Sequence, residues 1–354
     1  MSPLPLASIE KAEQGLAYKA HPWSYQGAHF FEFTEQYRTL AARLIGASPN
    51  EIALIPAASY GLQIAANALP LSKGGEILVL ADQFPSNVYP WREKAARLGG
   101  EVVTVERPQN GDWTQALLQH CNERTEIVAI PAVHWADGGQ IDLETIAKKI
   151  RTMGAALVLD LTQSLGAMPF DVTTVKPDFM IAAGYKWLMG PYTLGYLYVD
   201  PKWKNAKPLE HNWMNRRGSE DFAALVNYQD GFQPGVRALD VGEKSNPAQL
   251  LTASASLEQL MDWGIENITR TLGARNANFA NKARKMGFSV LPDKLRAPHY
   301  LSLGFERGIP GGLVEQLAQE NIFVSIRGNS VRVTGHLYSR DEDFERLLNV
   351  LQNA

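Results

Sequence analysis

Apolar residues along this chain fall into short unbroken runs, separated by stretches in which they recur every three or four positions. The runs predict strands at 76–81, 102–105, 127–132, 156–160, 179–182 and 194–199. The periodic stretches between them predict helices at 60–67, 90–98, 113–119 and 143–153. An earlier helical pattern, at 31–44, is stopped by Pro49-Asn50. Strands that are apolar throughout and joined by helices imply a mostly parallel sheet buried on both faces. In such sheets ligands sit beyond the carboxyl ends of the strands.

The pattern changes after about residue 241. Two long helices are predicted at 250–263 and 265–286, then strand-like segments at 288–291, 300–305, 323–326 and 331–334 around a helix at 312–320. A closing helix follows at 341–352. This second block is α+β. The stretch 202–237 is poorly patterned and rich in Trp, Asn, Gly and Arg, as expected of loops near an active site or a subunit contact.

Composition narrows the class. With 354 residues and 45% hydrophobic content, the chain has enough material for one large and one smaller domain, and disorder is not expected. The net charge of −3 gives no bulk attraction to nucleic acid or to an anionic membrane. The single cysteine, Cys121, excludes an intrachain disulfide framework and a site with several thiolates. No signal peptide pattern and no unbroken apolar stretch of membrane length is visible, so a cytoplasmic protein is expected. No metal site is expected, and no Gly-x-Gly-x-x-Gly follows an early strand, which argues against a nucleotide-binding Rossmann protein.

Candidate chemistry centres on Lys186, in Ala182-Ala183-Gly184-Tyr185-Lys186-Trp187-Leu188-Met189-Gly190-Pro191, directly after the apolar Phe179-Met180-Ile181. Burial disfavours the charged form of an amine, and a neutral amine on a rigid floor attacks carbonyls to form a Schiff base. Asp160 ends another apolar run, 26 positions upstream. A carboxylate for a pyridinium nitrogen and an amine for an aldehyde together point to a pyridoxal 5'-phosphate (PLP) site. Pro56-Ala57-Ala58-Ser59-Tyr60-Gly61 opens a helical run after the apolar Ile52 to Ile55, which puts the amides of Ala58, Ser59 and Tyr60 where an anion is held.

The stretch Asp160-Leu161-Thr162-Gln163-Ser164-Leu165-Gly166-Ala167, followed by Gly184-Tyr185-Lys186 and Gly190-Pro191, resembles aminotransferase class V. That family includes cysteine desulfurases, selenocysteine lyases, isopenicillin N epimerases and kynureninases. The resemblance runs from about residue 31 to 346. It implies an α/β fold-type I PLP enzyme, with a large domain built on a seven-stranded, mostly parallel sheet and a smaller α+β C-terminal domain. The expected division is an N-terminal segment at 1–25 packing with the small domain, the PLP-binding domain at 26–240 and the small domain at 241–354. It also implies an amino acid substrate and a symmetric homodimer, which light scattering tests.

Residue by residue, the resemblance gives Ala58-Ser59 as the phosphate turn and Gln163 as the hydrogen-bond donor to the phenolic oxygen of the cofactor ring. Tyr185 stands where desulfurases have histidine and kynureninases tyrosine, and either donates to phosphate. Ala183 replaces a serine that contacts phosphate in desulfurases. Phe84, in a Phe-Pro-Ser segment like that of kynureninases, is expected to stack on the cofactor ring, worth about 0.5–1.5 kcal/mol beyond area burial. Trp135 stands where desulfurases have asparagine and belongs to a loop near the ring's substituents. Beside it His134 is expected to be structural. Arg332 matches the late arginine that grips the substrate carboxylate bidentately, with Arg327 as the competing candidate. Gly242-Glu243-Lys244-Ser245-Asn246-Pro247 resembles a turn that reaches the neighbouring subunit's phosphate, with Glu243 a departure and Ser245 and Asn246 the donors.

Persulfide-forming desulfurases carry a mobile thiol shortly before the late arginine. Here that segment is Val324-Ser325-Ile326-Arg327-Gly328-Asn329-Ser330, and Cys121 lies far from it in sequence. The expected activity is Cα deprotonation of an amino acid by Lys186, with aminotransferase placed first. A lyase or epimerase, a kynureninase-like hydrolase and an inactive PLP-fold partner protein are the alternatives.

Overall fold

The computed structural model describes residues 2–352. Its larger sheet has seven strands: β1 (Ile52–Ile55), β2 (Glu76–Leu80), β3 (Glu101–Val105), β4 (Thr125–Pro131), β5 (Ala156–Asp160), β6 (Phe179–Ala183) and β7 (Gly195–Val199), in the spatial order β1-β7-β6-β5-β4-β2-β3. Only β7 runs antiparallel to its neighbours. The other pairs are parallel because a helix or loop returns the chain across a face between them. The helices of this part are α2 (Gly27–Ile45), α3 (Ala58–Ala68), α4 (Tyr89–Leu98), α5 (Trp113–His120), α6 (Leu143–Met153) and the short α7 (Val172–Val175), while α1 (Leu6–Ala20) precedes them.

Unbroken apolar strands are explained by burial on both faces. In β2, Ile77 and Val79 enter one core and Leu78 and Leu80 the other. β4 and β5 divide in the same way. Each such buried side chain stabilises the fold by about 1.5–3 kcal/mol relative to exposure. β3, at the sheet's edge, keeps Glu101 and Thr104 exposed, which blunts an edge that would otherwise pair with another chain.

The C-terminal part holds α8 (Pro247–Trp263), α9 (Ile265–Lys285), α10 (Leu313–Gln319), α11 (Asp341–Gln352) and a three-stranded antiparallel sheet of β8 (Leu301–Gly304), β9 (Ser325–Arg327) and β10 (Ser330–Val333), in the order β8-β10-β9. One face of this sheet packs Leu301, Leu303, Val331 and Val333 against α9 and α11.

Two expectations are corrected here. The segment 288–291 is not a strand; only Ser289 bridges to Gly304. Pro292 follows at once and has no N–H to extend a ladder. Conversely, α1 is a helix that no apolar periodicity announces. Its buried residues are Ser8 and Gly15, while Leu6, Ile9 and Leu16 are exposed. The small residues let α1 lie close on α8. A side chain at Gly15 would meet the Ala248 backbone at 2.3 Å, and Ser8 Oγ bonds Ser256 Oγ at 2.8 Å. The stretch 202–237 has three short 3-10 turns and no strand or α-helix. No helix among the described residues is long and apolar enough to cross a membrane.

Candidate active site

Asp160 is the last residue of β5, paired across to Pro131 of β4 and Ile181 of β6. The chain cannot continue as strand because Asp160 Oδ1 accepts from the Thr162 amide at 3.0 Å and folds the backbone back on itself. Asp160 is therefore turn-forming rather than a helix cap. Thr162 Oγ1 accepts from the Ala183 amide at 3.1 Å, which ties this turn to the end of β6. Beyond Ala183 comes the loop that carries Lys186. It is pinned by Gly184 N to Leu194 O at 2.9 Å and Gly190 N to Gly184 O at 2.8 Å. Gly166, at φ +95°, brings the two loops together, since a Cβ there would lie 2.3 Å from the Trp187 carbonyl.

These loops form one wall of a chamber lined by Ala58, Gln83, Phe84, Asn87, Pro131, Val133, Trp135, Asp160, Thr162, Gln163, Tyr185 and Lys186. The Lys186 amine lies 5.4 Å from the centre of the Phe84 ring and 5.9 Å from that of Tyr185. Burial is the main reason this amine is held below the ordinary lysine pKa. Asp160 opposes the shift, and the charges of Arg332 and Arg327 add to it. Tyr185 stacks on Tyr192 at 4.6 Å and 17°. Phe84 meets Trp135 edge to face at 5.5 Å.

A second chamber is lined by Ser2, Gln163, Lys186, Trp187, Arg332, Thr334, His336 and Tyr338. Gln163 and Lys186 line both chambers, so the Lys186 side chain borders each of them. Arg332 Nη1 reaches the Trp135 carbonyl at 3.5 Å, and that carbonyl also accepts from the Tyr300 hydroxyl. Arg327 lies with its Cζ 4.8 Å over the Trp135 ring. The two arginines that the sequence offers as rivals therefore converge on one residue.

The first chamber fits PLP. Asp160 is buried and has no ion-pair partner among the described residues, as a carboxylate facing a ring cation requires. At the N-terminus of α3 no side chain caps the helix, so amides beside Ala58 remain for a phosphate. Asn87 Nδ2 is a buried donor without a partner, while Asn87 Oδ1 holds the Trp91 indole at 2.9 Å. Lys186 would supply the amine and Phe84 a flat face.

Not every residue expected at the site lines it. Ser59 and Tyr60 lie outside the chamber wall. The Tyr60 amide turns back to the Ala57 carbonyl at 3.1 Å, and the Tyr60 phenol sits beside Glu210, so of the three expected amides this one is already engaged. Asn246 caps α8 by accepting from Gln249 N at 3.2 Å, and the Ser245 carbonyl accepts from the Tyr25 hydroxyl at 2.6 Å. Neither borders either chamber, nor does Glu243. His134 stacks on Trp113 at 4.9 Å and bonds the Ala81 carbonyl at 3.0 Å, an arrangement that holds a loop. Cys121 closes the end of α5, and burial raises its thiol pKa, which suppresses the reactive thiolate.

Sequence reasoning missed Asn87, Gln83 and His299, and gave His336 a surface or packing role without placing it near Lys186. Gln83 Nε2 donates to the carbonyls of Asn87 at 2.7 Å and Ala129 at 3.0 Å, which fixes the segment bearing Phe84. His299 Nε2–H donates to the Gln163 carbonyl at 2.6 Å from beneath the site. His336 stacks on Trp187 at 5.2 Å. Burial lowers both histidines to a pKa of about 4, so both are neutral near pH 7. No spacing in the sequence links them to Lys186; only the packing of Trp187 between them does.

A family model described as aminotransferase class-V matches residues 6–339. The uncharacterized aminotransferase YcbU of Bacillus subtilis is 26% identical over 348 residues, covering 97% of this chain and 88% of that protein. Isopenicillin N epimerase of Streptomyces clavuligerus is 23% identical over 373 residues, covering 99% and 92%. Among solved structures, a C-DES mutant with glycine covalently linked to its PLP cofactor has a TM-score of 0.88 at 20% identity, covering 99% of this chain and 94% of that one. At that identity the likeness concerns the fold.

Proposed function

The chain belongs to the aminotransferase class-V family, and from that premise we propose that it is a PLP-dependent enzyme that moves the amino group of an amino acid. PLP, when bound, would supply an aldehyde for the substrate amine and a cationic ring able to spread negative charge from Cα. The chain's own residues do the rest. Asp160 keeps that ring cationic, and Phe84 and Gln163 orient it. Arg332 holds the substrate carboxylate, which aims the Cα–H bond at the amine of Lys186. Lys186 takes the proton as general base, and its lowered pKa leaves more of it in the neutral, proton-accepting form.

The observation that carries the reading is that Lys186 is, among the described residues, the one lysine that lines both chambers. A proton taken and returned by a single base suits amino transfer. Epimerisation by two bases needs a second proton carrier, and of the two rings nearest the Lys186 amine Phe84 has no proton to give while Tyr185 has a phenol, so inversion is kept as an outcome of the test. A persulfide mechanism lacks its thiol, since the β9–β10 hairpin has no cysteine.

Reduction of the cofactor-loaded protein with borohydride, followed by peptide mapping, should label Lys186. An amino acid panel with a keto acid acceptor should then show acceptor-dependent amine transfer. A label on another lysine sinks the site. Ammonia or pyruvate released without an acceptor moves the activity to a lyase, and inversion at Cα moves it to an epimerase.

A further inference from the structure

The face that the small sheet turns away from its core is an unusual collection. In antiparallel register Arg327 stands opposite Ser330, and Arg332 stands opposite Ser325 on one side and Ser302 on the other. Residues paired across strands share a face, and so do residues two apart along one strand. Two arginines and three serines therefore share one face, and no acid is among them. The opposite face is apolar and packs into the small core.

Neither guanidinium pairs with an acidic side chain among the described residues. Arg327 Nη1 donates to the Ile326 carbonyl at 2.6 Å, and its Cζ lies over Trp135. Arg332 reaches the Trp135 carbonyl and lies 5.8 Å from the Tyr300 ring. The Nε of each is buried without a partner. Arg332 lines the second chamber, and Arg327 borders neither chamber but packs over Trp135, which lines the first; both charges act on the Lys186 amine. Elsewhere in this molecule the buried arginines have acids: Arg38 has Asp240, and Arg296 has Asp293. A partly buried cation without a counter-charge is costly, and two side by side cost more. One substrate α-carboxylate offsets only one of them.

We infer that the substrate is an amino acid whose side chain carries a second anionic group, with Arg332 holding the α-carboxylate and Arg327 the distal anion. This rests on the reading of Lys186 and Arg332 as an amino acid site. Trp135 sets the spacing, because its ring supports Arg327 while its carbonyl anchors Arg332. The chemistry that both guanidiniums recognise is a planar or tetrahedral oxyanion, as in a carboxylate or a sulfinate.

The test uses cofactor-loaded protein and two ligands that lack an amine and cannot react: succinate, with two carboxylates, and butyrate, with one and the same number of carbons. Calorimetric titration at fixed ionic strength should show succinate binding about tenfold tighter or more. Arg327→Gln should bring succinate to the level of butyrate and leave butyrate within about twofold, whereas Arg332→Gln should weaken both. Arg327→Lys keeps the charge without the fork and should retain part of the preference. Equal binding of the two acids by the parent protein overturns the inference. So does a preference that survives in Arg327→Gln with its melting temperature unchanged. Cofactor absorbance is followed in parallel. An absorbance that responds to no amino acid counts against the amino acid reading, while the succinate to butyrate ratio still reports on the arginine face.

Discussion

Two clusters of positive charge in this molecule are built to opposite plans. Between α2, β1 and the loop before α8, the fully buried Arg38 meets Asp240 through both oxygens, at 3.0 and 2.7 Å. Lys244 Nζ reaches the same carboxylate at 2.7 Å, and the Leu54 amide donates to it at 2.7 Å. Burial alone would raise the Asp240 pKa, yet Arg38 and Lys244 bring it down to about 2. Every charge there is answered within the chain. On the polar face of the small sheet Arg327 and Arg332 have no acid among the described residues, and their charges bear on Lys186 instead. The first cluster is complete without a ligand and the second is not. That difference separates a part that holds the fold from a part that waits for a substrate.

The largest effect should come from breaking the complete cluster. Asp240→Ala leaves Lys244 buried without a paired carboxylate, Arg38 with only the partly exposed Glu35 at 2.9 Å, and the Leu54 amide without its acceptor. Removing one partner from a buried ion pair costs about 3–5 kcal/mol. A urea midpoint shifted by that amount in cofactor-free protein is the expected outcome. A loss below about 1 kcal/mol would show that water reaches the cluster and that its burial is not what holds it together.

Acid should separate the two regions in order. His299 and His336 have folded pKa values of about 4, below the ordinary 6.5. Between those values the unfolded chain binds protons that the folded histidines refuse, so stability falls as pH drops from about 6.5 towards 4, by up to about 3 kcal/mol for each histidine. The Asp240 contribution is fully present above the unfolded value near 3.8 and is lost only as pH falls towards 2. Stability measured against pH should therefore decline first on the side of the site. His336→Phe should flatten the decline between pH 6.5 and 4 and leave the later one unchanged. An unaltered first decline in that variant would remove His336 as its source.

How much of this was legible depends on whether a signal is local. The inner strands β2, β4, β5 and β6 could be read because each carries an unbroken apolar run, and Asp160 and Lys186 could be placed because each follows such a run, whereas β1 was not among the strands expected. Helix α1 could not, since its buried face is Ser8 and Gly15 and its large apolar residues are exposed. The two arginines show the limit most clearly. Five positions apart, Arg327 and Arg332 would point to opposite faces of one strand, so the sequence offers them as alternatives. The turn at Gly328-Asn329 folds β9 onto β10 and changes the parity, and both then share a face. Gly-Asn between two short β-prone runs is a hairpin signal, and it was the cue available. Asn87, His299 and His336 had no such cue, because their roles come from packing across the molecule.

The smallest expected effect is also the most discriminating. Arg327→Gln removes a cation from the incomplete cluster in cofactor-free protein. Lost with it is the contact over Trp135, worth about 0.5–1 kcal/mol at a partly exposed site. Relieved with it is the repulsion from Arg332 and from Lys186, like charges in a half-buried setting, together with the buried Nε that has no acceptor. These terms oppose one another and are of similar size, so stability should change by less than about 0.5 kcal/mol, with any net change on the stabilising side. Chemical denaturation of the two proteins without ligand measures it. A loss of about 2 kcal/mol or more, the scale of a broken buried pair, would mean that Arg327 is structural in the way Arg38 is, and the contrast between the two clusters would not stand.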